Sequence, residues 1–384
     1  MWKRGPGPVH CRLTASSAPR LQPNDRPRWQ CVIGPGGHIP RPGHLIQPPG
    51  RRCIPLRPYP LTTNLISMSR AAPRIVSLLP SATEIVCALG LEESLVGVTH
   101  ECDYPPAVVG KPQLTASRIS HQTMTSAEVD HAVRSQLDGH GSIYDLDEAQ
   151  LRTLKPDLIL TQELCDVCAV SYRTVEQAAR MFSEDNTEVD VVSLEPNTIA
   201  DILANIRTVG QLTGTDAQAE ALVAELATRL DALTRALVDV THRPRTLVLE
   251  WLEPPFAPGH WVPQQIALAG GNHTFGNAGG PSRTTTAEEI RAYAPDVIVL
   301  APCGYYVEDT LRELPRAQLP LGWHELPAVR EGNVWAVDAT SYFSRPGPRV
   351  VEGAEILTHI IRPQHFGAPD EHMAVRVPPA LMGS

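Results

Sequence analysis

Residues 215–240 contain neither glycine nor proline and repeat apolar residues at helical spacing. The leucines that set the pattern follow one another at steps of three or four positions: Leu222, Leu226, Leu230, Leu233 and Leu237. A helix that begins at this point is favoured by Thr215 in the N-cap position and by Asp216 and Glu220 near the positive end of the helix. About 26 helical residues span roughly 39 Å, close to the width of a domain. The pattern therefore predicts a strut between two lobes, with a long surface helix of a single domain as the alternative.

Short apolar runs alternate with helical patterns on both sides of this segment. The predicted strands cover residues 74–79, 95–98, 158–161, 189–194, 246–251 and 334–337. The predicted helices cover residues 81–89, 147–154, 172–181, 198–212 and 349–361. The first helix begins with a capping-box spacing, Ser81 followed by Glu84. This alternation predicts Rossmann-like α/β lobes with mainly parallel sheets.

A faint internal repeat supports two such lobes. EAQLRTLKPDLIL at 148–160 resembles EEIRAYAPDVIVL at 288–300, and each contains a helix, a Pro-Asp turn and an apolar strand. The expected organisation is an N-terminal lobe over 68–214, a linking helix over 215–240, a C-terminal lobe over 241–363 and a flexible tail over 364–384. A ligand cleft is expected between the lobes, where loops leave the carboxyl ends of the strands.

Residues 1–67 differ in composition from the rest of the chain. They hold 13 of the 37 prolines and ten basic residues against Asp25 alone, with no hydrophobic period. This composition predicts a disordered arm, and the position of Met68 directly before the first strand favours an upstream extension unrelated to the folded protein. The remaining residues carry a net charge of −18, which argues against a nucleic-acid groove.

The chain shows no long apolar segment of a signal peptide or transmembrane span, and no lipobox precedes Cys11, Cys31 or Cys53. Eight cysteines in a chain of this length are more typical of reduced thiols than of a disulfide framework. These features predict a cytoplasmic location. The alternative is an exported component of an importer whose signal is misannotated.

Four cysteines lie just after predicted strands: Cys102, Cys165, Cys168 and Cys303. Because loops at the carboxyl ends of parallel strands face the same edge of a sheet, these thiols are expected to open on one cleft. Thiolates bind zinc, copper(I) or an iron–sulfur cluster, and His100 and His260 are further candidate ligands. The alternative is four reduced cysteines that pack as small apolar residues.

A series of motifs resembles one known family. The series consists of IVSLLPSATEIVCALG, LVGVTHECDYPP, LKPDLIL, LEWLEPPFAPG and AGGNHTF. Together, over residues 74–363, these motifs resemble the vitamin B12 and iron-siderophore class of substrate-binding proteins of ABC importers, and most of all its cobalamin-binding members. The resemblance implies a corrinoid such as cobalamin bound between two lobes, only modest hinge motion, no catalysis, and a protein expected to act as a monomer.

The same resemblance implies a set of ligand-binding residues around the cleft. They are Glu101, Trp251, Phe256, His260, Trp261, Tyr342, Phe343 and Arg345, joined by the aromatic side chains of Tyr305 and Tyr306. Arg345 matches a position that reaches the polar side chains of the corrin. Aromatic faces with a few hydrogen-bonding groups suit a large disc fringed with amides. The alternative for each aromatic residue is core packing; Phe256 and Trp261, in a proline-rich loop, have the stronger claim to the ligand.

Members that work with an importer also present one surface glutamate on each lobe to the membrane permease. Glu288 matches the second of these, whereas the first falls at Ala149, beside Glu148. The family further places aromatic residues in loops that here hold Thr115–Ser117 and residues 162–163. The second functional hypothesis is a thiol-dependent enzyme or metal chaperone, in which a cleft cysteine handles a metal or the cobalt of a corrinoid.

Overall fold

The computed structural model describes residues 72–117, 119–120, 122–138, 144–162, 175 and 189–382. Three of the predictions above fall outside these residues. They are the disordered arm over 1–67, the helix over 172–181 apart from Val175, and the positions of Cys165 and Cys168. No helix among the described residues is both long and apolar enough to cross a membrane.

The linking helix runs from Asp216 to Ala236, a length of 21 residues. Its buried face consists of Ala219, Val223, Leu226 and Leu233. Thr215 precedes the helix, but its hydroxyl pairs with that of Thr213 at 2.8 Å and does not cap a backbone N–H. The preceding helix packs closely on the linking helix, since a Cβ on Gly210 would lie 2.5 Å from that of Ala219.

The N-terminal lobe contains a sheet of four parallel strands. In spatial order they are Leu95–Gly97, Ile75–Ser77, Leu158–Thr161 and Asp190–Ser193. The helices described in this lobe are Pro80–Ala88, Ser126–Asp138, Glu148–Leu154 and Ile199–Thr213. Thr115–Ser117 and Tyr144–Leu146 form a separate antiparallel pair. Parallel pairing puts the carboxyl ends of all four strands at one edge, as the sequence predicts.

The C-terminal lobe contains the second four-stranded sheet. Its spatial order is Ala374–Arg376, Val334–Val337, Val297–Leu300 and Thr246–Leu249, and only the first strand is antiparallel to its neighbour. The helices here are Val262–Leu268, Ala287–Tyr293, Val307–Glu313, Pro327–Arg330, Ala339–Tyr342, Val350–Ile361 and Pro363–Phe366. Two short pairs stand apart: Phe256–Ala257 with Arg283–Thr284, and Gly259–His260 with Asn277–Ala278.

The prediction of a flexible tail is wrong for residues 364–382, which form regular elements of the fold. Ala374–Arg376 pairs with Val334–Val337 and becomes the edge strand of the second sheet. Ala374, Val377 and Met382 are buried, with 2%, 3% and 4% of their surface exposed. The segment contributes apolar side chains to the core, which distinguishes it from a frayed end.

The internal repeat appears in the backbone of both lobes. The residue before each Pro-Asp turn ends its helix in the left-handed conformation with φ of 46°, and these residues are Lys155 and Ala294. The aspartate that follows then accepts the backbone N–H of an arginine just before the neighbouring strand. Asp157 accepts from Arg74 at 2.7 Å, and Asp296 accepts from Arg245 at 2.8 Å. Each Pro-Asp turn therefore ties the start of one strand to the next.

We expect an Asp296→Asn substitution to lower the free energy of unfolding by about 1 kcal/mol at pH 7, a value reduced for partial exposure. Hydrogen bonds from the Arg245 side chain hold the pKa of Asp296 below its usual range. A lowered pKa stabilises the fold above the ordinary carboxyl value, so the difference should shrink as pH falls below about 4. Urea unfolding at pH 7 and pH 3 measures it. Asp231→Asn, on the exposed side of the linking helix, is the control, and an equal loss in both variants would contradict the prediction.

Candidate ligand-binding site

Loops from the carboxyl ends of the two sheets meet between the lobes. The N-terminal lobe contributes Glu84 and Asp103, and the C-terminal lobe contributes Arg345 and Arg349. We call these four side chains the interlobe cluster. Two carboxylates facing two guanidinium groups make the cluster neutral as a whole, which favours its partial burial.

Glu84 is the buried carboxylate of the cluster, with 3% of its surface exposed. Its two oxygens accept hydrogen bonds from Arg349 Nη2 at 2.6 Å and Nε at 3.0 Å. Arg345 Nη1 lies 3.4 Å from the first of these oxygens. Burial raises the pKa of Glu84, while the two arginines act in the opposite direction. The predicted capping role of Glu84 is wrong, because Leu79 is the N-cap residue and no side chain caps this helix.

Arg345 connects the buried and exposed sides of the cluster. Its Nη1 donates to Asp103 Oδ1 at 2.6 Å, and its Nη2 donates to the backbone carbonyl of Glu101 at 2.9 Å. The hydroxyl of Tyr306 also donates to Asp103. Burial acts to raise the pKa of Asp103, but the hydrogen bond and charge of Arg345 outweigh it and hold that pKa below its usual range. Arg345, predicted to contact a ligand, thus binds the opposite lobe in this structure.

A second set of contacts joins the lobes beside the cluster. The backbone N–H of Ser126 donates to Glu313 Oε1 at 2.6 Å, and Trp251 Nε1 donates to the carbonyl of Ser126 at 3.1 Å. The ring of Trp251 also meets Tyr305 edge to face, with centroids 5.4 Å apart. Trp251 therefore lies at the lobe boundary, and its indole N–H is used by the protein itself.

Tyrosine rings border the cluster on its exposed side. The guanidinium carbon of Arg349 lies 4.1 Å from the ring centre of Tyr104 and 5.5 Å from that of Tyr342. Tyr104 exposes 45% of its surface. Stacking of this kind fixes the guanidinium plane while leaving one face of the tyrosine free. The backbone carbonyl of Glu101 accepts from Arg345, and its Oε1 accepts a hydrogen bond from the Tyr144 hydroxyl at 3.2 Å.

Four members of this site were missed by the sequence analysis: Glu84, Asp103, Tyr104 and Arg349. One sequence signal points to the last of them. Residues 345–349 read Arg-Pro-Gly-Pro-Arg, and the two prolines restrict the backbone between the two arginines. Two cations held four residues apart on a stiff loop indicate a shared anionic partner, which is Glu84 in this fold.

Trp261 and Phe343 are not available to a ligand in this structure. They expose 7% and 2% of their surfaces and belong to the main hydrophobic core. The indole Nε1 of Trp261 donates to the Phe343 carbonyl at 2.8 Å, so even its polar atom is satisfied inside the protein. The rule that a proline-rich loop exposes its aromatic residues fails here, because Trp261 is the N-cap residue of the helix Val262–Leu268 and packs in the core.

Phe256 and His260 are half-buried in the two short strand pairs of the C-terminal lobe. His260 has a left-handed backbone with φ of 48°, and its backbone N–H donates to the Gly280 carbonyl at 2.6 Å. Burial lowers the pKa of the His260 imidazole, which favours its neutral form. The structure gives neither residue a contact with the interlobe cluster among the described hydrogen bonds, so their part in binding stays a prediction.

The two candidate cysteines that the structure describes, Cys102 and Cys303, do not support a shared thiolate site, and Cys165 and Cys168 lie outside the described residues. Cys102 exposes 5% of its surface, and its sulfur lies 3.1 Å and 3.3 Å from the hydroxyls of Thr83 and Thr99. Burial raises the pKa of Cys102, so it is a neutral thiol within the core. Cys303 is exposed. Within the described residues, no group of three or more His, Cys, Asp or Glu side chains is arranged to hold a metal ion.

Two surface cavities lie away from the interlobe cluster. One of about 460 Å³ lies between the linking helix and the helix that begins at Val262, and Leu237, Arg243 and Gln264 are among its lining residues. The other, of about 450 Å³, is lined by Met124, His131 and their neighbours. The residues that line these two cavities include no member of the interlobe cluster.

Glu148 and Glu288 are both exposed and lie in the first turns of the two helices related by the internal repeat. Helices in parallel α/β lobes run opposite to their strands, so these first turns lie toward the carboxyl edge of each sheet. Contact with a permease at these positions stays a prediction, which crosslinking from the two residues would test. The two glutamates occupy equivalent positions on the two lobes, and a permease that docks on both lobes at once requires such a pair.

The family model described as periplasmic binding protein matches residues 75–340. A vitamin B12-binding protein of Vibrio cholerae is 23% identical over 299 residues, which cover 77% of this chain and 91% of that protein. The uncharacterized ABC transporter substrate-binding lipoprotein YvrC of Bacillus subtilis is 23% identical over 307 residues, 78% of this chain and 83% of that one. A periplasmic heme-binding protein from Pseudomonas aeruginosa aligns with a TM-score of 0.59 at 19% identity, over 79% of this chain and 97% of that structure.

These matches confirm the two-lobe α/β fold and the absence of catalysis, and they correct the predicted location. A cytoplasmic location is wrong, since the matched model describes periplasmic proteins and the Bacillus relative is a lipoprotein of an ABC transporter. The cytoplasmic prediction relied on the lack of a long apolar segment, and such an absence does not determine a location. The alternative of an exported importer component fits the matches.

Proposed function

Because this chain belongs to the periplasmic binding protein family, whose members bind solutes without catalysis, we propose that it binds a corrinoid between its two lobes. Cobalamin is the first ligand to consider, since the Vibrio relative is a vitamin B12-binding protein. Heme is the second ligand to consider, since the Pseudomonas neighbour is a heme-binding protein, and iron chelates are a third. The hypothesis of a thiol-dependent enzyme has no support from the comparisons or from the buried thiol of Cys102.

The observation that carries this proposal is the meeting of hydrogen-bond donors and aromatic rings at the edges of two facing parallel sheets. Arg345 and the Tyr306 hydroxyl supply donors, and Tyr104 and Tyr342 supply ring faces. A corrinoid combines a broad apolar disc with a fringe of amide acceptors, so it needs both kinds of group. Family members deliver such chelates to a permease, and Glu148 and Glu288 are our candidates for that contact.

The test is a titration of the full-length protein with cyanocobalamin and, in parallel, with hemin, followed by visible absorbance and calorimetry. We expect saturable binding of cyanocobalamin with a dissociation constant below about 1 μM, or roughly −8 kcal/mol. Saturation by hemin alone would exclude the corrinoid and keep the solute-binding role. No binding of either compound at high micromolar concentration would contradict the proposal.

A further inference from the structure

We propose that Asp103 is an internal competitor of the ligand. Its carboxylate holds the donors of Arg345 and Tyr306, and a ligand acceptor must displace it to reach them. This inference rests on the proposed function, since it concerns how the same cleft selects its ligand. It assigns Asp103 a role opposite to that of a binding residue, because the side chain weakens the binding of the molecule that replaces it.

Arg345 is already held in place without Asp103. Its side chain is 8% exposed, and its Nη1 lies 3.4 Å from the buried Glu84 carboxylate. The carbonyl of Glu101 accepts from its other terminal nitrogen at 2.9 Å. Pro346 restricts the backbone on the carboxyl side of Arg345. A donor that keeps its position when one partner leaves is preorganised for the next partner, which reduces the entropic cost of binding.

Asp103 is the member of the cluster that can leave. Its side chain is 45% exposed, whereas that of Glu84 is 2% exposed. Water can therefore solvate the Asp103 carboxylate as soon as it turns away, while a displaced Glu84 would remain buried without compensation. Asp103 also lies on the loop between Val98 and the turn at Pro106, outside the regular elements of the lobe.

Displacement of Asp103 changes the charge of the site and so defines the ligand. Two arginines then share the single carboxylate of Glu84, and the cluster carries one net positive charge. Such a site favours an acceptor with full or partial negative charge, such as an amide carbonyl, a carboxylate or a phosphate oxygen. Tyr306 adds a second donor to the same acceptor region. The site selects chelates with an acceptor-rich rim over those with a purely apolar rim.

A purely structural role for Asp103 makes the opposite prediction. If Asp103 only ties the lobes together, its removal loosens the cleft and weakens ligand binding. If it competes with the ligand, its removal frees Arg345 and Tyr306 and strengthens ligand binding. The direction of the change in affinity therefore separates the two roles.

The experiment compares cyanocobalamin affinity, by calorimetry, in the full-length wild type and in Asp103→Ala and Asp103→Asn variants. We expect Asp103→Ala to bind on the order of 10-fold more tightly, the effect of removing one charge-assisted competitor, with Asp103→Asn between it and the wild type. Asp130→Ala is the matched control, because Asp130 forms an ion pair with Arg134 on the same lobe. Its affinity should stay within about twofold of the wild type, as for other surface ion pairs.

Each result decides one of the two proposals. Unchanged or weaker binding in both Asp103 variants, with normal wild-type binding, overturns the internal competition and leaves the proposed function intact. No binding of cyanocobalamin or hemin by any variant contradicts the proposed function itself. Binding by the Asp103 variants alone supports both. Circular dichroism of each variant shows whether it is folded, and the isosteric asparagine variant serves where alanine disrupts the loop.

Discussion

Replacing Glu84 with alanine is expected to lower the free energy of unfolding by about 3–5 kcal/mol, as expected for removing one partner of a buried charge cluster. Glu84 accepts both hydrogen bonds that Arg349 makes to the opposite lobe, and it lies beside Arg345. Without it, the Arg349 guanidinium keeps its position under Tyr104 but loses its only described carboxylate. Urea unfolding followed by circular dichroism measures the loss, and the slope of the transition shows whether unfolding stays cooperative.

Replacing several residues of the cluster at once distinguishes the effect of charge imbalance from the effect of lost packing volume. A triple variant with methionine at Glu84, Arg345 and Arg349 removes the buried charges together and keeps apolar bulk. We expect it to be within about 1–2 kcal/mol of the wild type, because replacing buried ion partners together is often near neutral, and the remaining carboxylate, Asp103, is 45% exposed. Glu148→Ala serves as the surface control, with an expected change within about 0.5 kcal/mol. A cost below about 1 kcal/mol for Glu84→Ala would contradict the account of a buried charge cluster.

The fold was predictable from local signals because those signals agree with one another. The helix of residues 198–212 was predicted from its pattern, and the structure places it at Ile199–Thr213 with Thr198 as the cap and Gly214 at φ of 71°. The strands Leu158–Thr161 and Val334–Val337 match their predicted bounds, and each is a short run of buried residues. The positions of such helices and strands are determined by residues that are close in sequence. The internal repeat then indicates that a second lobe follows the first.

The candidate site was predictable only in part, since it depends on contacts between distant residues. Glu84 shows a local capping spacing, yet its side chain turns to arginines more than 260 positions away. Trp261 shows loop neighbours, yet it packs into the core. Cys102 lies in the predicted loop, but its thiol points to two threonine hydroxyls. In each case the helix or loop that carries the residue was predicted from the sequence. The partner of its side chain is set by tertiary packing, which no local pattern encodes.

The second large effect is expected from deletion of the C-terminal segment. The deletion also tests directly whether these residues belong to the core. Deletion of residues 368–384 removes the edge strand Ala374–Arg376 together with the buried side chains of Val377 and Met382. At about 1.5–3 kcal/mol for each fully buried larger side chain, the deletion is expected to cost about 3–6 kcal/mol of unfolding free energy. The strand Val334–Val337 then becomes the sheet edge, which favours association between copies.

Two single variants keep this prediction testable if the shortened protein aggregates. Val377→Ala removes two methyl groups from a side chain that is 3% exposed, and should cost about 1–2 kcal/mol. Glu371→Ala, at an exposed position just before the strand, should change stability by less than about 0.5 kcal/mol. Urea unfolding midpoints of the wild type and the three variants at matched, low concentration provide the comparison. Equal midpoints for the wild type, the deletion and Val377→Ala would show that the segment adds nothing to the core, because loss of buried apolar area must lower stability.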